Sequence, residues 1–139
     1  MAQQNTDTVH AIYEAFGRGD IPFVASVMDP QIEWNEAENF LYADRNPYIG
    51  LPAILEGVFG RIAAEWDGFS VVPEEILGSG ETAVAFGRYR GTFKQTGKAV
   101  NAQFVHVFRF QGGKVVRFQQ YTDTAQFRDA AGHGQSASA

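Results

Sequence analysis

Cysteine is absent from the 139-residue chain, so disulfides, thiol nucleophiles and thiolate metal sites are excluded. Basic residues are scarce: 11 Lys and Arg stand against 16 Asp and Glu, a net charge of −5. A protein that grips nucleic acid through its backbone needs a basic face, so no nucleic-acid partner is expected. No apolar run approaches the roughly 20 residues that cross a bilayer. The N-terminal MAQQNTDT lacks a basic-then-apolar targeting pattern. A soluble, cytoplasmic protein without a membrane partner is the expectation. The histidines are few, His10, His106 and His133, and none stands at ligand spacing to another. Gly78 and Gly80 bound a turn with no helix after it, so they are not a phosphate loop. No serine sits in a nucleophile-elbow motif. Neither a metal nor a cofactor is expected.

Aromatic residues are plentiful, 14% of the chain with 12 Phe. In a chain of one-domain length they imply a ligand cavity, an aromatic interface or a well-filled core.

Helical spacing comes first. Val9, Ile12, Tyr13 and Phe16 form one apolar stripe, stopped by Gly17 and Gly19. Asp20 is placed to cap a short second helix with Pro22 in its first turn. Asp29-Pro30 ends it, and Ile32–Glu36 alternates as a short strand with Trp34 and Glu36 on one face. Ala37–Gly50 has no period, is long for a connection, and carries Phe40, Tyr42 and Tyr48. Such a loop covers a core edge or closes over a ligand. Pro52 opens a third helix that presents Ile54, Val58, Phe59 and Ile62, with Trp66 near its end. Four strands follow: Phe69–Leu77, Thr82–Phe93, Ala99–Phe110 and Val115–Thr122, separated by glycine turns. Asp123 and Gln126 then match a capping box for a last short helix. The domain runs over 1–131; the tail, 132–139, is small and polar and is expected to be disordered. Helices first and an antiparallel meander after them predict an α+β fold, a curved sheet wrapped as a half-closed cone around the N-terminal helices.

Turn positions set which residues share a face. With Gly112 and Gly113 central, Gln111 opposes Lys114, and His106 then faces Gln119, Phe104 faces Tyr121, and Ala102 faces Asp123. With Lys94 opposite Ala99, Gly87 lies beside His106 and Tyr89 beside Phe104. The inner face reads Ala83, Ala85, Gly87, Tyr89; Phe104, His106, Phe108; and Arg117, Gln119, Tyr121, Asp123. Small residues beside large rings suit a cavity. The other face mixes Val and Phe with Arg and Gln, which fits a half-covered homodimer surface.

The order of these elements, carried by IYEAFGRGD (Ile12–Asp20), DPQIEW (Asp29–Trp34), FVHVFRFQGGKVV (Phe104–Val116) and QYTDTAQF (Gln120–Phe127), resembles SnoaL-like and ketosteroid-isomerase-like proteins of the nuclear-transport-factor-two-like superfamily. The resemblance implies a cone with a deep apolar pocket, and commonly a homodimer. Members include isomerases, cyclases, dehydratases and non-catalytic binders, so the fold leaves the function open. Where steroid isomerases carry a protonated acid, this chain has His106. Near their base it has Asn35, which takes no proton, with Glu36 and Glu38 close by. Their helix-one tyrosine falls nearest Ile12, one place from Tyr13. Asp123 resembles the acid that SnoaL-like cyclases carry at the end of the last strand.

Two functional readings follow. In the first, a small, mostly apolar carbonyl compound undergoes cofactor-free acid–base chemistry, of isomerase, cyclase or dehydratase type. Asp123 is the acid–base, and His106 and Tyr121 polarise the carbonyl. Trp34, Glu36, Tyr48, Phe59, Trp66, Tyr89, Phe104, Phe108 and Gln119 line the pocket. In the second, the same cone is a non-catalytic binding or dimeric interaction module. Asp123 is equally explained as a helix cap, Tyr121 as packing on Phe104, and His106 as a core histidine bonded to Gln119.

Overall fold

The computed structural model describes residues 2–132, so most of the expected tail, residues 133–139, lies outside the described residues. Helix α1 (Ala2–Gly17) buries Val9, Ile12 and Tyr13 of the predicted stripe, together with Asn5 and Ala15, and leaves Phe16 half-buried. Asp20 caps α2 (Ile21–Ser26) by accepting from Phe23 N at 3.2 Å. Strand β1 (Met28–Asn35) begins earlier than expected and runs through Asp29-Pro30. Its pairing to β6 is interrupted between Met28 and Glu33, and Pro30, which has no N–H to give a ladder, sits in that gap.

The connection Ala37–Gly50 holds a 3₁₀ turn (Ala43–Arg45) and a two-residue strand, β2 (Tyr48–Ile49), that pairs with β1. Residues Leu51–Glu65 form one helical run, α3 (Leu51–Ile54) and α4 (Gly60–Glu65), joined by a π-helical stretch, Leu55–Phe59. Wider π turns arise where a helix takes in one extra residue. Gly57 lies in that stretch because the Tyr48 ring packs where its side chain would be: an added Cβ would stand 2.3 Å from Tyr48 Cε2.

Strands β3 (Trp66–Ser79), β4 (Thr82–Phe93), β5 (Ala99–Gln111) and β6 (Lys114–Thr122) make the meander, and α5 (Thr124–Ala130) follows. The six strands form one mixed sheet in the order β2-β1-β6-β5-β4-β3, parallel only between β1 and β6. The core lies between the inner sheet face and the helices. Among the described residues, no helix is long and apolar enough to cross a membrane.

Both predicted registers change, with different consequences. In the β4–β5 pair Gly87 opposes Phe104 and Ala85 opposes His106, two residues from the expected pairing. An even slip leaves every side chain on its face, so Tyr89, Phe104, His106 and Phe108 stay inside. In the β5–β6 pair Gln111 opposes Lys114 and Phe110 opposes Val115, but Arg109 then opposes Arg117. Val116 is an extra residue, a β-bulge, and it inverts the strand beyond it. His106 therefore faces Gln120, not Gln119, and Phe104 faces Thr122, not Tyr121. Phe118 and Gln120 are buried, while Tyr121 is 55% exposed.

Candidate active site

The cone encloses a cavity of about 60 Å³ between α1, the π-helical stretch and the sheet. Its wall is apolar: Ile12, Phe16, Val24, Val58, Phe59, Phe108 and Phe118 contribute. Into it point a few polar groups, Tyr13, Glu36, Tyr89, His106 and Gln120.

His106 sits at the centre of β5, buried, with Phe104 stacked on its ring at 4.0 Å. Tyr13 Oη lies 2.6 Å from Nδ1 and Tyr89 Oη 2.5 Å from Nε2. Burial pushes the imidazole pKa down to about 3 from 6.5, so the ring is neutral and carries one N–H. Burial also raises both phenols, and for Tyr89 the charge of Glu36 raises it further. Three hydrogens, two phenolic and one imidazole, therefore serve two contacts. Whichever nitrogen is protonated, one phenolic O–H has no histidine to donate to. Gln120 does not take it, because its Nε2 donates to Tyr89 Oη at 2.9 Å while its Oε1 accepts from Ala37 N at 3.0 Å. The surplus hydrogen is a ready donor for an oxygen in the cavity.

Glu36 follows β1, with its side chain turned in beside that of Trp34. Trp34 Nε1 donates to Glu36 Oε2 at 2.8 Å, and the indole stacks on Phe118 at 3.8 Å. Asn46 fixes the Glu36 backbone from both sides: Oδ1 accepts from Glu36 N at 3.0 Å and Nδ2 donates to Glu36 O at 2.8 Å. The carboxyl is 2% exposed. Burial raises its pKa to about 7, against the smaller lowering effects of the Trp34 bond and the Arg61 charge. A carboxyl poised near neutrality can both take and return a proton.

The predicted site residues divide into two groups. Trp34, Glu36, Phe59, Tyr89, His106 and Phe108 line the cavity. Phe104 stands behind the His106 ring, and Trp66 lies outside the cavity with its Nε1 bonded to Tyr42 Oη. Tyr48 does not line the cavity: its ring lies against Gly57, and its hydroxyl donates to Tyr42 O and accepts from Arg61 at 2.9 Å. Gln119 and Tyr121 lie on the outer face, turned there by the Val116 bulge. Asp123 is likewise outside the cavity. It caps α5, accepting from Gln126 N at 3.4 Å and Gln126 Nε2 at 3.0 Å, so it does not meet His106. Glu36, by contrast, lines the same cavity as His106. Sequence reasoning did not count Tyr13 among the site residues, although it lies on the predicted stripe and one place from the position of the family's helix-one tyrosine. It placed Gln120 and Phe118 on the wrong face, and nothing in Val115-Val116 marks which residue bulges.

A curved mixed sheet closed by helices over a cavity with a few converging polar groups defines a cone-shaped α+β protein built around a small interior. The chain belongs to the SnoaL-like domain family, whose sequence signature spans residues 9–118. It is similar to an NTF2-like protein from Burkholderia thailandensis E264, at 34% identity over 91% of this chain and 96% of that one, with a TM-score of 0.87. An NTF2-like protein of unknown function from Burkholderia pseudomallei K96243 shares 29% identity over 91% and 96% of the two chains, TM-score 0.83. TerC, co-crystallised with polyporic acid, shares 26% identity over 91% and 97%, TM-score 0.80. No curated protein matches the chain significantly.

Proposed function

We propose that the protein binds a small, mostly apolar carbonyl compound in the inner cavity and moves a proton on it without a cofactor, as an isomerase, cyclase or dehydratase does. The observation that carries this is the meeting of the buried Glu36 carboxyl and the Tyr13–His106–Tyr89 chain, with its surplus hydrogen, in one apolar cavity. In this reading the Glu36 carboxylate takes the proton from the carbon next to the carbonyl. The C–H electron pair becomes the enolate double bond, and the negative charge gathers on oxygen. The surplus phenolic O–H donates to that oxygen, and His106 sets which tyrosine supplies it. Protonated Glu36 then returns the proton to carbon. The apolar wall keeps water from competing. That TerC crystallises with a small molecule supports an interior that takes ligands.

The test is hydrogen–deuterium exchange at the α-carbons of cyclohexanone in D₂O, followed by NMR. The protein accelerates exchange, and Glu36→Gln lowers the acceleration about a hundredfold or more while cyclohexanone still binds. Binding without exchange by the wild type would instead establish the non-catalytic binder.

A second copy of the chain on the outer sheet face is also proposed. The supporting observation is the row Phe86–Val105–Tyr121, opposed across three strands, with Val84 and Val107 beside it and arginines at its margin. An apolar centre with a polar rim is interface anatomy. Sedimentation checks it: Val107→Asp converts a dimer to a monomer, and a monomeric wild type rules it out.

A further inference from the structure

A second hollow, of about 510 Å³, lies at the mouth of the cone. Phe16, Phe59, Ile62, Phe69 and Val71 line both it and the inner cavity. The rings of Phe16 and Phe59 pack against each other with centroids 4.9 Å apart, a contact distance for aromatic pairs, so this pair closes the wall that the two spaces share. Phe16 is in the last turn of α1 before Gly17, and Phe59 closes the π-helical stretch. Size decides what each space holds. Small-molecule sites usually measure roughly 300–1,000 Å³. The inner cavity, at about 60 Å³, admits a head group and no more, whereas the outer hollow has the volume of a whole site.

Chemistry separates them further. The converging hydrogen-bond groups are all inside. In the outer hollow, Ser70 and Trp66 are the side chains with polar atoms, and the Trp66 N–H is already given to Tyr42 Oη at 3.1 Å. We infer that the outer hollow is the second half of the binding site, and that the ligand has two parts: a carbonyl-bearing head inside and an apolar alkyl or aryl tail in the hollow, crossing the shared wall where it parts the Phe16 and Phe59 rings. This rests on the proposed acid–base reading only for the position of the carbonyl.

A series of 4-alkylcyclohexanones, from methyl to hexyl, tests it by calorimetry on the full chain. Affinity should rise about fourfold per added methylene. Ala63→Trp fills the hollow from an exposed helix position, and should flatten that rise so that the methyl and hexyl members bind alike. Ala64→Trp, on the same helix outside the hollow, should keep it. A flat series in the wild type, a rise that survives Ala63→Trp, or no binding by any member overturns the inference. Glu36→Gln should retain the rise. A rise without α-proton exchange therefore retires the acid–base reading and leaves the two-part ligand standing, and exchange without a rise does the reverse.

Discussion

Gln120 and Tyr89 are bonded across the inner face of the sheet, side-chain amide to phenol, at 2.9 Å. β5 lies between their strands. The bond exists because Val116 is out of step: without that bulge Gln120 would point outward. The same amide accepts from Ala37 N, so it ties the start of the 37–50 connection to the hydrogen-bonded chain in the cavity. Glu36 is thereby held from both sides, by Asn46 and, through its neighbour Ala37, by Gln120.

The buried carboxyl gives stability a defined pH dependence. Glu36 titrates near 7 in the folded chain and near 4.5 unfolded. Between those values the folded state holds a proton the unfolded state has released, so this group's contribution is complete below about pH 4.5 and is lost as pH rises through 7. Glu36→Gln should therefore match the wild type in urea unfolding at pH 4 and exceed it at pH 8, by on the order of 3 kcal/mol. The exchange rate of the wild type should move oppositely, rising through pH 7 as the carboxylate forms.

His106 should behave as a neutral base far below its ordinary range. Its folded pKa near 3 lies under the unfolded 6.5, so its contribution to stability is present above about 6.5 and is lost as pH falls toward 3. Side-chain ¹⁵N shifts should report one protonated and one bare ring nitrogen at pH 5. Two protonated nitrogens at that pH would contradict the hydrogen count at the site.

Asp123→Ala removes a cap and nothing in the cavity. Its expected effect is a loss of about 1 kcal/mol of stability, measured by thermal unfolding, with cyclohexanone binding and α-proton exchange unaltered. A large loss of exchange at full folding would return Asp123 to the chemistry.

Gly87 tests the sheet. A Cβ there would stand 2.2 Å from Val72 O and 2.8 Å from Pro73 Cα, both backbone atoms of β3. Gly87→Ala should destabilise the fold by about 1–3 kcal/mol or more, whereas Gly68→Ala, with no neighbour within 4 Å, meets only its positive φ of 61°.

Most of the architecture was legible because its signals are local. The stripe of α1, the caps at Asp20 and Asp123, and the turn at Gly112-Gly113 each follow from a few adjacent residues. The inner positions of Tyr89, His106 and Phe108 survived a misplaced β4–β5 register because the error was even. Gln119, Tyr121 and Asp123 were misplaced for the opposite reason: the bulge shifts by one, and Val115 and Val116 have identical side chains, so no pattern chooses between them. Glu36 was visible as an inward carboxyl, but its burial depends on Asn46, Gln120 and Phe118 reaching it from distant parts of the chain.

The Val116 bulge makes the interior depend on chain length as much as on composition. A substitution between Gly113 and Gln120 alters one side chain. Removing one residue there would reverse the parity of the strand, carrying Tyr121 into the cone and Gln120 to the surface without changing either. In this chain, therefore, a one-residue insertion or deletion at that hairpin would exchange the cavity groups that β6 supplies for the ones it now turns outward.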